Sequence, residues 1–433
     1  MIPKKISLSK ALSLSAIQTD KFKTETLSVS IVMPIDPKTS PISLLVLSIL
    51  KRGCQKFKTQ GEINLRLDDL YATSISLKSQ RLGDANVLGF SAEMLCEEYT
   101  DGKTDVFAGT LDVLNQILFH PLTDEDGHFL PSYMEGEKRN QCDAIEAQIN
   151  NPRAYASKRC REIMFEGEAY GVSLLGTPDA VEAITKEELA ACYQSMISEY
   201  RYSFFYIGPR SPYEVAEKLE TFFLPYIKQE RLYSALQTGA KKRSGEVRRV
   251  VEEMPLAQGK LVLGFLTGAC LGSEDFYTML VLNEIYGGSP VSKLFMNVRE
   301  RLSLCYYCSS HYDIFKGALF VSCGVAPENR EAAEGEILRQ LSEIVSGNVS
   351  EDEFEAAKHS LCNTYRALSD SPALIEGYYF CRNELGVDCS IEECMEKIRA
   401  VKLVDVIRSA EKVALDTVYF LSGNGVEDED DAD

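Results

Sequence analysis

The sequence predicts an α+β protein made of two homologous domains, each a mostly antiparallel sheet with helices packed on one face. Three observations carry this reading. At 433 residues the chain is too long for one core and suits two domains of roughly 200 residues each. Each half opens on strand-like runs and continues into a helical block, which is the order of an α+β chain rather than an alternating one. The ends of the halves also rhyme: "EAITKEELAACYQSMISEYRYSFFYIG" answers "RAVKLVDVIRSAEKVALDTVYFLSG", with Ala183-Ile184 set against Ala400-Val401. A single repeat at roughly 200 residues means a duplicated domain, since solenoid repeats run to about 20–50. The expected division is a first domain over 1–227, a polar, basic linker over 228–247, a second domain over 248–425 and an acidic tail over 426–433.

The elements follow in order. The β-branched run "TLSVSIVMP" is the first strand expected, and "SPISLLVLSILKRG" after it reads as a short helix. Ser40 suits its N-cap and Pro41 its first position, Lys51 and Arg52 its last turn, and Gly53 its stop. Its interior is apolar nearly all round, the mark of a buried helix, with Leu44, Leu47 and Ser48 on one face at i, i+3 and i+4. A second helix, "QGEINLRLDDLYA", precedes the strands "TSISLKS" and "ANVLGFSAEML". Helices then dominate from Thr104 to Ser198, and "YSFFYIG" closes the half. The second cycle runs from strand "GKLVLGFLTGA" through helix "SEDFYTMLVLNEIYGG", the segment "SKLFMNVRERL" and the strand pair "SLCYYCSSHYDI" and "KGALFVSCGVA". A long helical stretch and the strand "TVYFLSGNG" end it.

Composition narrows the function. A net charge of −19 argues against nucleic-acid binding, and the tail "VEDEDDAD" is expected to be solvated and disordered. No apolar run is long enough for a membrane span or signal peptide, so a soluble, cytoplasmic protein is expected. The 13 cysteines are scattered, and a chain of this size needs no disulfide staples, so free buried thiols are expected. The close pair Cys305 and Cys308 has no second pair beside it, and a spacing of three in a regular strand puts the two thiols on opposite faces. Only four histidines occur: His120, His128, His311 and His359, no two of them at i, i+3 or i+4. Composition and spacing therefore offer no metal site, and no cofactor is expected.

The stretch "YGGSPVSKLFMNVRERLSLCYY" resembles the pitrilysin/insulinase family of zinc metallopeptidases, with its glycine pair, S-x-L-F and R-x-x-L-x-L-x-Y. "LLGTPDAVEAITKEEL" is similar to the family's H-x-x-x-G-T-x-x-x-I-x-x-I-T-x-x-D/E-L region, and the resemblance spans nearly the whole chain. In that family the helix after the first strand bears H-x-x-E-H: two histidines that hold zinc and a glutamate that serves as general base. The resemblance puts Leu44 and Ser48 at the histidine positions and Leu47 at the base. In the family's E-x-x-x-x-x-x-E, Glu137 keeps the first acidic position and Ala144 replaces the third ligand.

The resemblance therefore implies a catalytically inactive member, metal-free at this position. Two-chain members pair a zinc-bearing subunit with a homologue lacking the metal. A homologous zinc metallopeptidase subunit with the intact motif is thus the implied partner, and a peptide or unfolded protein the implied substrate. The chain also resembles bacterial insulinase-like proteins connected with modification of elongation factor P. Arg299 and Tyr306 match a family arginine and tyrosine that reach the other half's metal site and steady an oxyanion in trans. Ile75, Ser76, Leu77 and Lys78 fall on the edge strand that pairs with substrate in family members, although its Asn-Ala dipeptide is here Ile75-Ser76. A homodimeric peptide-binding or scaffold protein without a peptidase role is the alternative.

Overall fold

A computed structural model describes residues 2–227, 236–239 and 245–423. Most of the expected linker and the whole tail over 426–433 lie outside the described residues. The chain divides into two units, neither of them continuous in sequence. The first comprises 1–146, 172–236 and 372–385; the second comprises 147–171, 237–371 and 386–433. Two segments that a contiguous split assigns to one half are therefore built into the other unit.

The first unit is a six-stranded sheet in the order β1-β2-β6-β3-β5-β4. Its strands are β1 (Lys4–Ser7), β2 (Leu12–Gln18), β3 (Thr24–Pro34), β4 (Ser74–Leu82), β5 (Ala85–Leu95) and β6 (Tyr202–Gly208). All its pairs are antiparallel except β2 with β6. The second unit repeats the pattern with five strands in the order β7-β11-β8-β10-β9. These are β7 (Arg248–Met254), β8 (Gly259–Leu266), β9 (Cys305–Asp313), β10 (Ala318–Val325) and β11 (Ala414–Gly423). Only β7 with β11 is parallel. Omitting β1, the two orders are identical in connectivity, so the duplication read from the chain ends is present in the topology.

The main helical layer of the first unit includes α1 (Thr39–Leu50), α2 (Gln60–Asp69), α3 (Val106–Phe119) and α4 (Pro131–Glu146). Leu27, Val29 and Ile31 of β3 face it, in a core shared with Leu45, Val46, Leu47, Leu111 and Leu114. Alternation puts Ser28 of β3 on the opposite face. There the helix Pro372–Leu385 docks by polar contacts, with Ser28 Oγ donating to Glu376 at 2.6 Å and Ser203 Oγ to Glu384 at 2.8 Å. In the second unit α5 (Pro152–Met164) plays the same part with an apolar face: Ala156, Cys160 and Met164 pack on Val262, Phe320 and Tyr419. Gly264 admits it closely, since a Cβ there would lie 2.7 Å from Met164 Sδ. Beyond the one helical layer expected, then, each sheet has a second face covered by a helix drawn from the other half of the sequence.

Two local expectations are corrected. The cap of α1 is Asp36, whose Oδ1 accepts from the backbone N–H of Lys38 and of Thr39, both at 2.9 Å. The helix begins at Thr39, Ser40 is buried inside it, and Lys51 and Arg52 lie beyond its end. Gly53 is not in a left-handed stop; it is small because a Cβ would meet the Lys58 carbonyl at 2.5 Å. The segment "RRVVEEM", whose first residues read as linker, is strand β7.

Candidate functional site

α1 packs against α4, β5 and β4, so the first unit sets the helix bearing Leu44, Leu47 and Ser48 against the helix bearing Ala144. Leu47 is 0% exposed, whereas Leu44 and Ser48 are half-buried. The side facing outward thus carries one leucine and one serine hydroxyl, and the base position points into the core. On α4, Gln141 donates through Nε2 to the carbonyls of Leu175 at 2.9 Å and Pro41 at 3.3 Å, tying the helix to the start of α1. Ala144 lies one turn further on and is exposed. Glu137 is held by Arg52 Nε at 3.1 Å and by Asn140 Nδ2 at 3.1 Å, so its carboxylate is engaged in structure.

No metal donor set assembles there. Among the described residues, two groups of three donors converge, Cys305 with Cys308 and Cys323, and Asp124 with Asp126 and His128; neither includes a residue of α1 or α4. Leucine and alanine have no lone pairs to offer, and a single serine cannot hold zinc alone. The histidines do other work: His120 caps α3 and lies edge-on to Tyr226 at 5.0 Å, and His128 accompanies Asp124 in a turn.

β4 is the outer strand of its sheet, pairing with β5 in unbroken register from Ser74↔Glu93 to Leu82↔Ala85. Its other edge carries a row of backbone donors and acceptors with no strand opposite among the described residues. Ile75 is buried, Ser76 exposed, and Leu77 and Lys78 half-buried. The Lys78 ammonium is paired with Glu376 and lies over the Phe380 ring. A cavity of about 480 Å³ opens at the start of this strand, lined by Lys51, Asn64, Leu67, Ser74 and Ile75 among others.

Arg299 and Tyr306 belong to the second unit. Arg299 lies in a π-helical stretch, Leu294–Arg301, with its guanidinium over Phe295 and 3.5 Å from the Glu300 carboxylate. Tyr306 is 75% exposed on β9, the outer strand of its sheet. The cause of that exposure is a bulge. Tyr307 pairs with Gly324 but Cys305 with Val325, leaving Tyr306 as the extra residue. The same bulge corrects the expectation that Cys305 and Cys308 face apart, because the added residue returns both thiols to one side, next to Cys323. Hydrogen bonds from Cys308 and Cys323 hold the Cys305 thiol well below its ordinary value, and the Arg299 charge adds to the effect. None of the 13 cysteines is bridged; ten are buried, and Cys142, Cys192 and Cys270 are half-buried.

This geometry agrees with the known proteins the chain resembles. The family described as the Peptidase M16 inactive domain matches residues 183–361. A protein of Bacillus subtilis (strain 168) named "Probable inactive metalloprotease YmfF" is 28% identical over 412 residues, covering 95% of this chain and 96% of its own. A crystal structure of a conserved protein from Enterococcus faecalis V583 superposes with a TM-score of 0.90 at 28% identity, over 99% of this chain and all of the other. The chain is thus similar to insulinase-like M16 peptidases over nearly its whole length. The same fold occurs in a peptidase M16 inactive domain from Pseudomonas fluorescens, which superposes with a TM-score of 0.82 at 17% identity over 99% of both chains. The matched domain and the Bacillus relative are both described as inactive, which supports a non-catalytic protein, in keeping with Leu44, Leu47, Ser48 and Ala144 at the degenerate positions.

Proposed function

We propose that the chain is the non-catalytic subunit of a heterodimeric processing peptidase in the cytoplasm. Its partner is an M16 homologue with an intact H-x-x-E-H helix, and its substrate a peptide or unfolded protein. The observation that carries the proposal is the state of α1: the helix keeps its place behind β3 and against α4, while its chemistry has been exchanged for packing. A fold retained in full without its catalytic donors is useful where a second chain supplies them. Two further features fit the role. β4 offers an unpaired edge for strand addition by a peptide, which needs backbone groups rather than a particular side chain. Arg299 and Tyr306 supply a guanidinium and a phenol, donors of the kind that stabilise the oxyanion formed when zinc-bound water attacks an amide.

Native mass spectrometry of the protein taken from its own cells tests this. The expected species is a 1:1 complex with an M16 homologue carrying the intact motif. A homodimer alone would favour the scaffold reading, in which β4 binds peptide and nothing is cut. Failure to form a complex on mixing with each zinc-bearing M16 homologue of the same cell would end the heterodimer proposal.

A further inference from the structure

The thiols of Cys305, Cys308 and Cys323 converge on one point under the β9 bulge. Cys308 and Cys323 are direct antiparallel partners, and Cys305 reaches the same side because Tyr306 is looped out. Their three Sγ atoms lie within 4.8 Å of one another, and the residues are 9%, 3% and 0% exposed respectively. A scatter of free cysteines packs as small apolar residues without such convergence. Cys160, for example, lies in the apolar contact between α5 and the sheet.

We propose that Cys305, Cys308 and Cys323 form a three-thiolate site for one Zn²⁺ ion, distinct from the lost α1 site and independent of the heterodimer reading. Zinc–sulfur bonds of about 2.3 Å put tetrahedral sulfurs about 3.8 Å apart, so each pair has at most about 1 Å to close, a small rotamer adjustment. The donor set is soft, which disfavours magnesium and calcium and leaves zinc and monovalent copper. Charge separates these two. Three thiolates carry −3, so zinc leaves −1 and monovalent copper −2. A buried site tolerates the smaller residual charge better, which favours zinc, and the Arg299 guanidinium, shared with Glu300, acts electrostatically on Cys305 in the same direction. Cys305 is the most exposed of the three, so a water on its side would be the fourth ligand. Binding releases the thiol protons to solvent and changes no oxidation state. The ion ties the edge strand β9 to β10 at the point where the register breaks, and so fixes the bulge that presents Tyr306.

The test uses the full chain, reduced with a phosphine and freed of metal, titrated with Zn²⁺ against a chromophoric chelator, with Co²⁺ as a spectroscopic probe. About one equivalent should bind, with proton release and a thiolate-to-cobalt charge-transfer band. Cys305→Ser and Cys323→Ser should each weaken binding by at least 100-fold with circular dichroism unchanged, and Cys362→Ser should not alter it. Wild-type protein that takes up no zinc while its thiols titrate as free would overturn the proposal whatever the variants do. Binding that persists in Cys305→Ser and Cys323→Ser would overturn it equally.

Discussion

Truncating Leu47 to alanine asks whether the position that the family gives to a general base has become core. Leu47 is 0% exposed and belongs to the cluster that joins α1 to β3 and α3. Losing its isobutyl group forfeits about 1.5–3 kcal/mol of transfer free energy. The cavity left between helix and sheet brings the total to roughly 3–5 kcal/mol. Leu44, one turn earlier and half-buried, should lose roughly 1–2 kcal/mol in the same exchange. Urea unfolding of the full chain, followed by circular dichroism, reads the difference in the transition that carries the first unit. With a slope of roughly 3 kcal/mol per molar, the Leu47→Ala midpoint falls by about 1 M or more and the Leu44→Ala midpoint by less than half of that. A base must face the substrate, and a side chain that faces substrate tolerates truncation. Leu47→Ala within roughly 0.5 kcal/mol of wild type, or a larger loss from Leu44→Ala, would therefore refute the conversion of site into core.

Three further outcomes are expected. In the assembled heterodimer, Arg299→Ala or Tyr306→Phe should leave the complex intact and reduce the partner's turnover by roughly 10²-fold, the usual effect of removing one oxyanion donor; unchanged kcat in an intact complex removes the in-trans role. The Cys323→Ser chain should carry no stoichiometric zinc after dialysis against a weak chelator, since Leu44, Leu47 and Ser48 of α1 together offer only one hydroxyl; elemental analysis finding about one zinc per chain would put a ligand set at α1 back in play. Burial tends to raise the Glu252 carboxyl, but hydrogen bonds from Arg159 of α5 and from Tyr419 outweigh it and hold it below the usual range. Its contribution is therefore present above the unfolded value of about 4.3 and is lost as pH falls through the depressed folded value. Glu252→Gln should flatten that acid limb of the urea midpoint, and an unchanged limb would refute the assignment.

Much of the fold was readable because its strands are β-branched or aromatic runs and its helices are periodic. The failures have physical causes. β7 is an edge strand with two arginines and two glutamates flanking its valines, so "RRVVEEM" lacks the apolar signature that exposed "KLVLGFL". The start of α1 was misplaced because an aspartate two residues upstream of the capping position does the capping, and Ser40 is spent accepting from the Asp36 N–H. The exchange of α5 and the helix Pro372–Leu385 between units is a tertiary choice that no local pattern encodes. The loss of donors at Leu44, Leu47, Ser48 and Ala144 was legible from the resemblance. The thiol cluster was not, because period-2 reasoning fails wherever a bulge inserts a residue.

That bulge also predicts which edge takes peptide. β4 and β9 occupy the same place in the two duplicated sheets, each outermost beside its hairpin partner. β4 keeps unbroken register along its length, whereas β9 breaks register opposite Gly324 and Val325. An added strand needs a run of evenly spaced donors and acceptors, and a bulge both interrupts that run and turns the strand away. The duplicated fold therefore keeps one edge regular and spoils the other, where it presents Tyr306 instead. Hydrogen exchange of the full chain with excess extended peptide should slow at backbone amides within Ser74–Leu82 and leave Cys305–Asp313 unchanged. Because the Lys78 ammonium is already paired with Glu376, Lys78→Ala should leave that protection largely intact. Protection confined to β9, or protection of β4 abolished by Lys78→Ala in a folded chain, would show that a side chain rather than the open backbone edge decides binding.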